Sequence, residues 1–181
     1  LGTAGVTVGL ALQGGLANLA GGVLLLLFKP FVVGDYIIQD QSNGCEGTVT
    51  KIEICYTTLL SIDNKKIVVP NGTLSNSTII NVTAKENRKL EIKVGISYEA
   101  DIQKAKRIIE KILREDADTK SDTKEMVVFV DELADSAVIM GLRVWVSTER
   151  YWPTKWRLNQ KIKEEFDANG IVIPYNQMEV Y

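Results

Sequence analysis

The chain has 181 residues, a net charge of −2 and no histidine. A near-neutral balance supplies no basic field to hold nucleic acid, and the missing imidazole removes the commonest general base and the commonest metal ligand. Two cysteines, Cys45 and Cys55, without a CxxC spacing predict reduced, semi-buried thiols rather than a zinc site.

Charge is distributed unevenly. Residues 1–28 contain no Asp, Glu, Lys or Arg, and they hold seven of the fourteen glycines. A charge-free run of this length predicts a membrane-spanning helix, because a soluble helix as long would need one polar face. The run starts at Leu1 without a flank or a basic signal-peptide region, so more chain is expected upstream. Twenty-eight helical residues would extend about 42 Å against a hydrocarbon core of about 30 Å. The pair Gly14-Gly15 at the midpoint predicts a bend that resolves the mismatch, with the second half lying nearer the interface. Lys29 and Pro30 end the helix. Within the first half, Thr3 and Thr7 stand four apart, as do Gly5 and Gly9. These small-residue spacings predict close helix–helix packing around a ring. Val6 and Leu10 share a face, and facing an axis they would form two stacked apolar rings that exclude water.

Short segments rich in Ile, Val, Tyr and Thr follow, at Tyr36–Gln39, Gly47–Ile54, Thr57–Ile62 and Lys66–Val69, with turns at Asn43-Gly44, Asp63-Asn64 and Asn71-Gly72. They predict a small barrel-like sheet of the Sm-like or SH3-like kind. Beyond residue 85 the pattern alternates. Strands are expected at Lys89–Ser97, Met126–Val130, Val138–Val146 and Ile171–Ile173, and helices at Asp101–Glu115 and Thr154–Ala168. The order βαββαβ is that of a ferredoxin-like α+β domain. The mixed helix charges read as solvated faces with i,i+4 pairs. Gln177–Tyr181 is expected to be a further strand. Asp131, Glu132 and Asp135 read as solvated charge in a turn. Trp145, Trp152 and Trp156 read as core or inter-subunit packing. No catalytic constellation or phosphate loop is present, so an enzyme is not expected. An RNA-binding module would need a basic or aromatic face. A non-conducting membrane scaffold fits the same composition as a channel does.

Several motifs carry a resemblance. Val8-Gly9-Leu10-Ala11-Leu12-Gln13-Gly14 with Leu16-Ala17-Asn18-Leu19-Ala20-Gly21-Gly22 resembles the pore helix of the MscS family of mechanosensitive channels. Phe28-Lys29-Pro30-Phe31-Val32-Val33-Gly34-Asp35 resembles the family's link into its β domain. Ile67-Val68-Val69-Pro70-Asn71-Gly72 resembles a β-domain motif. Phe166-Asp167-Ala168-Asn169-Gly170-Ile171 and Pro174-Tyr175-Asn176-Gln177-Met178 resemble the end of the α+β domain. The likeness implies a kinked pore helix over 1–29, a β domain over 30–84, an α+β domain over 85–174 and a closing barrel strand from 175 to 181. It implies a homoheptamer opened by membrane tension, with two further membrane helices upstream and residues after about 30 in the cytoplasm. Its partners would be lipids, permeating ions and small solutes, with no cofactor, metal or nucleic acid. The family's gate rings map onto Val6 and Leu10 and its kink onto Gly14, beside the packing residues Thr3, Gly5, Thr7 and Gly9 and the hinge pair Gly14 and Gly15 read from the residues themselves. Departures are Val6, where Leu is frequent; Thr3 and Thr7, where small apolar residues stand; Gly15 after the hinge; and Asn176, where proline is frequent.

Overall fold

The computed structural model describes residues 2–40, 44–119 and 126–176, and they form two compact units, 1–85 and 86–181. The first unit opens with α1 (Gly2–Phe28), one continuous helix through Gly14-Gly15. Lys29 stops it in the left-handed region, at φ 46°, with its N–H donating to Leu25 O. Pro30 forbids continuation.

Four antiparallel strands follow: β1 (Tyr36–Gln39), β2 (Glu46–Ile52), β3 (Tyr56–Leu60) and β4 (Lys66–Pro70). A short helix α2 (Asn71–Ser75) and a fifth strand β5 (Ile79–Asn81) complete the unit. The strand order is β4-β3-β2-β1-β5. Inward residues alternate as period 2 requires: Ile37, Val49, Leu59 and Val69 are buried, and Leu25, Phe31 and Leu74 cover them. The expected all-β domain is present, and among the described residues its sheet has β4 and β5 as edges, because the chain leaves β4 into α2 and re-enters on the opposite edge beside β1. One expectation is corrected here. Asn71-Gly72 opens a helix rather than a turn, since both residues pack inward instead of facing water. The strand β5 was not foreseen from the sequence.

The second unit contains β6 (Asn87–Ile96), α3 (Ile102–Glu115), β7 (Val127–Leu133), β8 (Val138–Ser147) and α4 (Tyr151–Ala168), with antiparallel order β6-β8-β7. Asp101 caps α3, its Oδ1 accepting from the N–H of Gln103 and Lys104. One sheet face carries Leu90, Ile92, Met140, Leu142 and Val144 into a core closed by Ile109, Leu113, Leu158, Ile162 and Phe166. The other face is mixed: Arg143 bonds Glu91 at 2.5 Å and lies over the Phe129 ring, and Lys93 pairs with Asp131 at 2.7 Å. The helix faces carry the expected i,i+4 pairs, such as Lys111–Glu115 and Lys163–Asp167.

Three corrections belong to this unit. Residues 171–173 do not form a strand; Val172 O accepts from Ser97 N–H at 2.9 Å, and Ile171 N–H donates back to Phe166 O at 2.9 Å. Asp131 and Glu132 lie in β7, not in a turn, at a register shift after Val130. Helix α4 starts three residues before Thr154, because Pro153 sits in its first turn, where no N–H is needed. Trp152 and Trp156 are 50% and 64% exposed in the single chain, so of the two expectations for them inter-subunit packing stands. The expected strand at 177–181 lies outside the described residues.

An ionic cluster ties the end of α3 to the start of α4. Arg157 forks onto Asp116 at 2.7 and 2.9 Å and reaches Asp118 at 2.7 Å, while Thr154 Oγ1 donates to Asp118 at 2.9 Å. Burial pushes the Asp116 carboxyl up, but the Arg157 guanidinium and the Asp118 N–H outweigh it and hold the group below its ordinary range. Asp118 is lowered chiefly by its bond from Arg157.

Candidate functional site

Helix α1 has two halves with different surroundings. From Gly5 to Ala17 every residue is exposed, including Val6 at 65% and Leu10 at 67%. Methyl groups built on Gly5, Gly9, Gly14 or Gly15 would meet nothing within 4 Å. The expected gate residues Val6 and Leu10 are thus exposed in this chain, and Gly5, Gly9, Gly14 and Gly15 border open space. Thr7 is exposed with them, and the side chain of Thr3 lies outside those described. Gly5–Phe28 is long and apolar enough to cross a membrane.

The second half is seated. Asn18 Oδ1 accepts the Gly72 N–H at 3.1 Å. A methyl on Gly21 would lie 2.7 Å from the Asn71 backbone carbon, and one on Gly22 would lie 1.9 Å from Ile54 O and 2.7 Å from Asn71 Nδ2. One turn on, Leu25 is 3% exposed and enters the sheet core. Backbone meets backbone here, which only a residue without Cβ allows.

The floor of this seat is Asn71, fully buried. Its N–H donates to Cys55 O at 2.9 Å, its Nδ2 donates to Glu53 O at 2.7 Å, and its Oδ1 accepts from Thr57 Oγ1 at 2.7 Å. Asn76 Nδ2 and Ser75 Oγ donate to Gly72 O and tie down the same turn. The helix exit is fixed separately. Gly34, at φ 100°, makes the turn into β1 that a side chain would strain. Asp35 then accepts from Val32 N–H and Asn81 Nδ2, both at 2.8 Å, and from Thr83 Oγ1 at 3.2 Å. Burial raises the Asp35 carboxyl, yet these three donors leave it below the usual carboxylate value.

Sequence reasoning missed the seat. It treated Gly21-Gly22 as helix and Asn71 as turn. A signal existed: Gly14, Asn18, Gly21, Gly22 and Leu25 recur at i, i+4, i+7, i+8 and i+11, which is one face of a helix. Hydropathy conceals that stripe, because its glycines differ from their surroundings in size rather than polarity and Asn18 is its one polar member.

The model of the mechanosensitive ion channel β-domain matches residues 15–84, and that of the mechanosensitive ion channel MscS C-terminal domain matches residues 90–173. The crystal structure of Helicobacter pylori MscS in its closed state superposes with a TM-score of 0.91 at 30% identity, covering 100% of this chain and 70% of that one. The chain belongs to the MscS family of mechanosensitive ion channels. A small-conductance mechanosensitive channel of Edwardsiella ictaluri is 41% identical over 178 residues, 98% of this chain and 61% of that protein. Arabidopsis thaliana MSL1 shares the fold, with a TM-score of 0.78 at 20% identity over 97% of this chain and 64% of that one. This MscS-family chain spans about three fifths of the length of the curated relatives it matches, 61% of the first. The family is one of channels, not of enzymes, and the apolar N-terminal helix followed by β-rich units matches its fold.

Proposed function

We propose that this chain is the pore-lining and cytoplasmic part of a homo-oligomeric channel, a heptamer, opened by membrane tension. In the whole protein, further membrane helices would precede Leu1, residues after about 30 would lie in the cytoplasm, and the bilayer would be the cell's inner membrane. Opening would release ions and small solutes during hypo-osmotic stress. The observation that carries this reading is the unbroken exposure of a charge-free helix from Gly5 to Ala17. An apolar surface of that extent calls for lipid and for neighbouring copies to cover it. Gly5, Thr7 and Gly9, with Thr3, then admit close neighbours, while Val6 and Leu10 face the axis and exclude water from a narrow pore. Gly14 and Gly15 form the hinge at which the exposed half moves against the seated half. The open five-stranded sheet is read as an Sm-like domain over 30–84, and the β6-β8-β7 sheet with α3 and α4 as a ferredoxin-like domain over 85–174.

Tension favours the state of larger in-plane area. Because Asn18, Gly21, Gly22 and Leu25 anchor the distal half, outward movement of the first half is resisted at the seat on the β unit. Patch-clamp recording of the full-length protein under graded suction tests the proposal. Currents with a reproducible tension threshold are expected, and a ring of seven subunits by native mass spectrometry. A membrane protein that conducts at no tension, or that is a monodisperse monomer or dimer, overturns it.

A further inference from the structure

We infer that Thr57 is a positioning residue for the seat of α1: its hydroxyl fixes the Asn71 amide, and the amide sets how firmly the helix is held. The inference deepens the reading of α1 as the moving helix and rests on it for its functional consequence.

A buried primary amide has two orientations of almost equal shape, which only its partners distinguish. At Asn71 the distinction is complete. Glu53 O requires a donor and faces Nδ2 at 2.7 Å; Thr57 Oγ1 supplies a donor to Oδ1 at 2.7 Å. Thr57 and Asn71 are both fully buried, so water does not replace either partner. The amide nitrogen fixed in this way lies beneath Gly22 beside the Ile54 carbonyl, and the Asn71 backbone lies beneath Gly21. The next residue, Gly72, presents the N–H that Asn18 accepts. A path of two hydrogen bonds and one peptide unit therefore joins β3 to the face of α1.

Removing the hydroxyl leaves Oδ1 without a donor. Flipping the amide sets oxygen against Glu53 O and solves nothing. Asn71 then has no satisfied buried orientation, and its displacement moves the surface on which both glycines rest. A threonine that merely filled space in β3 would have none of these consequences, since valine has nearly its shape.

Gly72 N–H has Asn18 Oδ1 as its acceptor, so hydrogen exchange at that amide reports the seat directly. The test uses full-length channel in lipid nanodiscs, with exchange resolved to the peptide containing Gly72 and to β3 as an internal reference. Thr57→Val is expected to speed exchange at Gly72 about tenfold, the effect of losing one buried hydrogen bond, with β3 little changed. Asn18→Ala is expected to do the same, and the double variant no more than either. Thr57→Ser, which keeps the hydroxyl, is expected to restore wild-type protection. If Thr57→Val prevents ring assembly, Thr57→Cys, a weaker donor of similar size, is expected to give intermediate exchange.

Wild-type exchange in Thr57→Val or Thr57→Cys, additive effects in the double variant, or acceleration spread evenly over the sheet would each overturn the assignment. Recordings on the same variants separate this from the functional reading. If exchange follows the expected pattern while Asn18→Ala and Thr57→Val open and close as wild type, Thr57 positions the seat and the seat does not govern gating. If Asn18→Ala alters gating and Thr57→Val changes neither exchange nor current, the seat governs gating and Thr57 has no part in it.

Discussion

Replacing Gly22 by alanine puts a carbon 1.9 Å from the Ile54 carbonyl oxygen, about 1.5 Å inside ordinary contact. The obstacle is backbone, and Asn71 Nδ2 closes the other side at 2.7 Å, so no rotamer change relieves it. The distal half of α1 must lift. Lifting withdraws Leu25, now 3% exposed, from the core, a loss of about 1.5–3 kcal/mol. It also breaks the Asn18–Gly72 bond, worth about 1 kcal/mol. Alanine returns about 1 kcal/mol through its higher helix propensity. The net destabilisation of the seat is therefore about 1.5–3 kcal/mol. Gly14→Ala is the comparison, because within this chain its methyl meets nothing within 4 Å. Purified full-length channel carrying each substitution would be followed by thermal unfolding in detergent and by threshold measurements in membrane patches. Gly22→Ala should lower the unfolding temperature and shift the threshold. Wild-type behaviour on both counts would show that the backbone contact does not exist in the assembled protein.

Three further outcomes are expected. Leu10→Ser should lower the opening tension or make the pore leak, while Leu12→Ser, about 200° around the helix, should not; patch-clamp thresholds decide, and the reverse order would place the pore on the other face. Lys29 holds φ 46°, so Lys29→Gly should stabilise the first unit by about 1 kcal/mol, read as a raised thermal transition, and no gain would mean the helix stop is not strained. Asp116 and Asp118 are held below the ordinary carboxylate value. Their contribution is therefore complete above about pH 4 and lost as pH falls through their folded values. Arg157→Gln should cost about 2–3 kcal/mol at neutral pH, less than a fully buried pair because the guanidinium side chain is 38% exposed. It should also move acid unfolding to higher pH, and an unchanged acid limb would show that the cluster does not couple α3 to α4.

Elements with strong periodicity were legible in the sequence. Helix α3, with Ala105, Ile109, Ile112 and Leu113 on one face, and strand β8, alternating from Val138 to Val146, needed only pattern and length. The apolar run was legible as one helix, and the motifs as a family. Features defined by what lies on the far side of the sheet were not. Asn71-Gly72 has turn composition, yet its side chain serves as a buried hydrogen-bonding floor. Residues 171–173 have strand composition, yet form one ladder bond rather than a strand. Which face of the first half of α1 meets an axis depends on other copies. One chain exposes Val6, Val8, Leu10 and Leu12 alike, at 56–67%.

The glycines of α1 also divide by how their replacement can be repaired. At Gly21 and Gly22 the obstructing atoms belong to Asn71, Gly72 and Ile54 of the same polypeptide. Second-site revertants of a substitution there should map to those positions or to the residues that hold them, such as Thr57, and should act in cis. Gly5 and Gly9 obstruct nothing in their own chain. Revertants of substitutions there should fall on the helix itself, at residues a neighbouring copy presents, and in mixed rings they should act in trans. A suppressor screen on this one helix would thus divide intrachain constraint from assembly constraint at a boundary between Gly15 and Asn18.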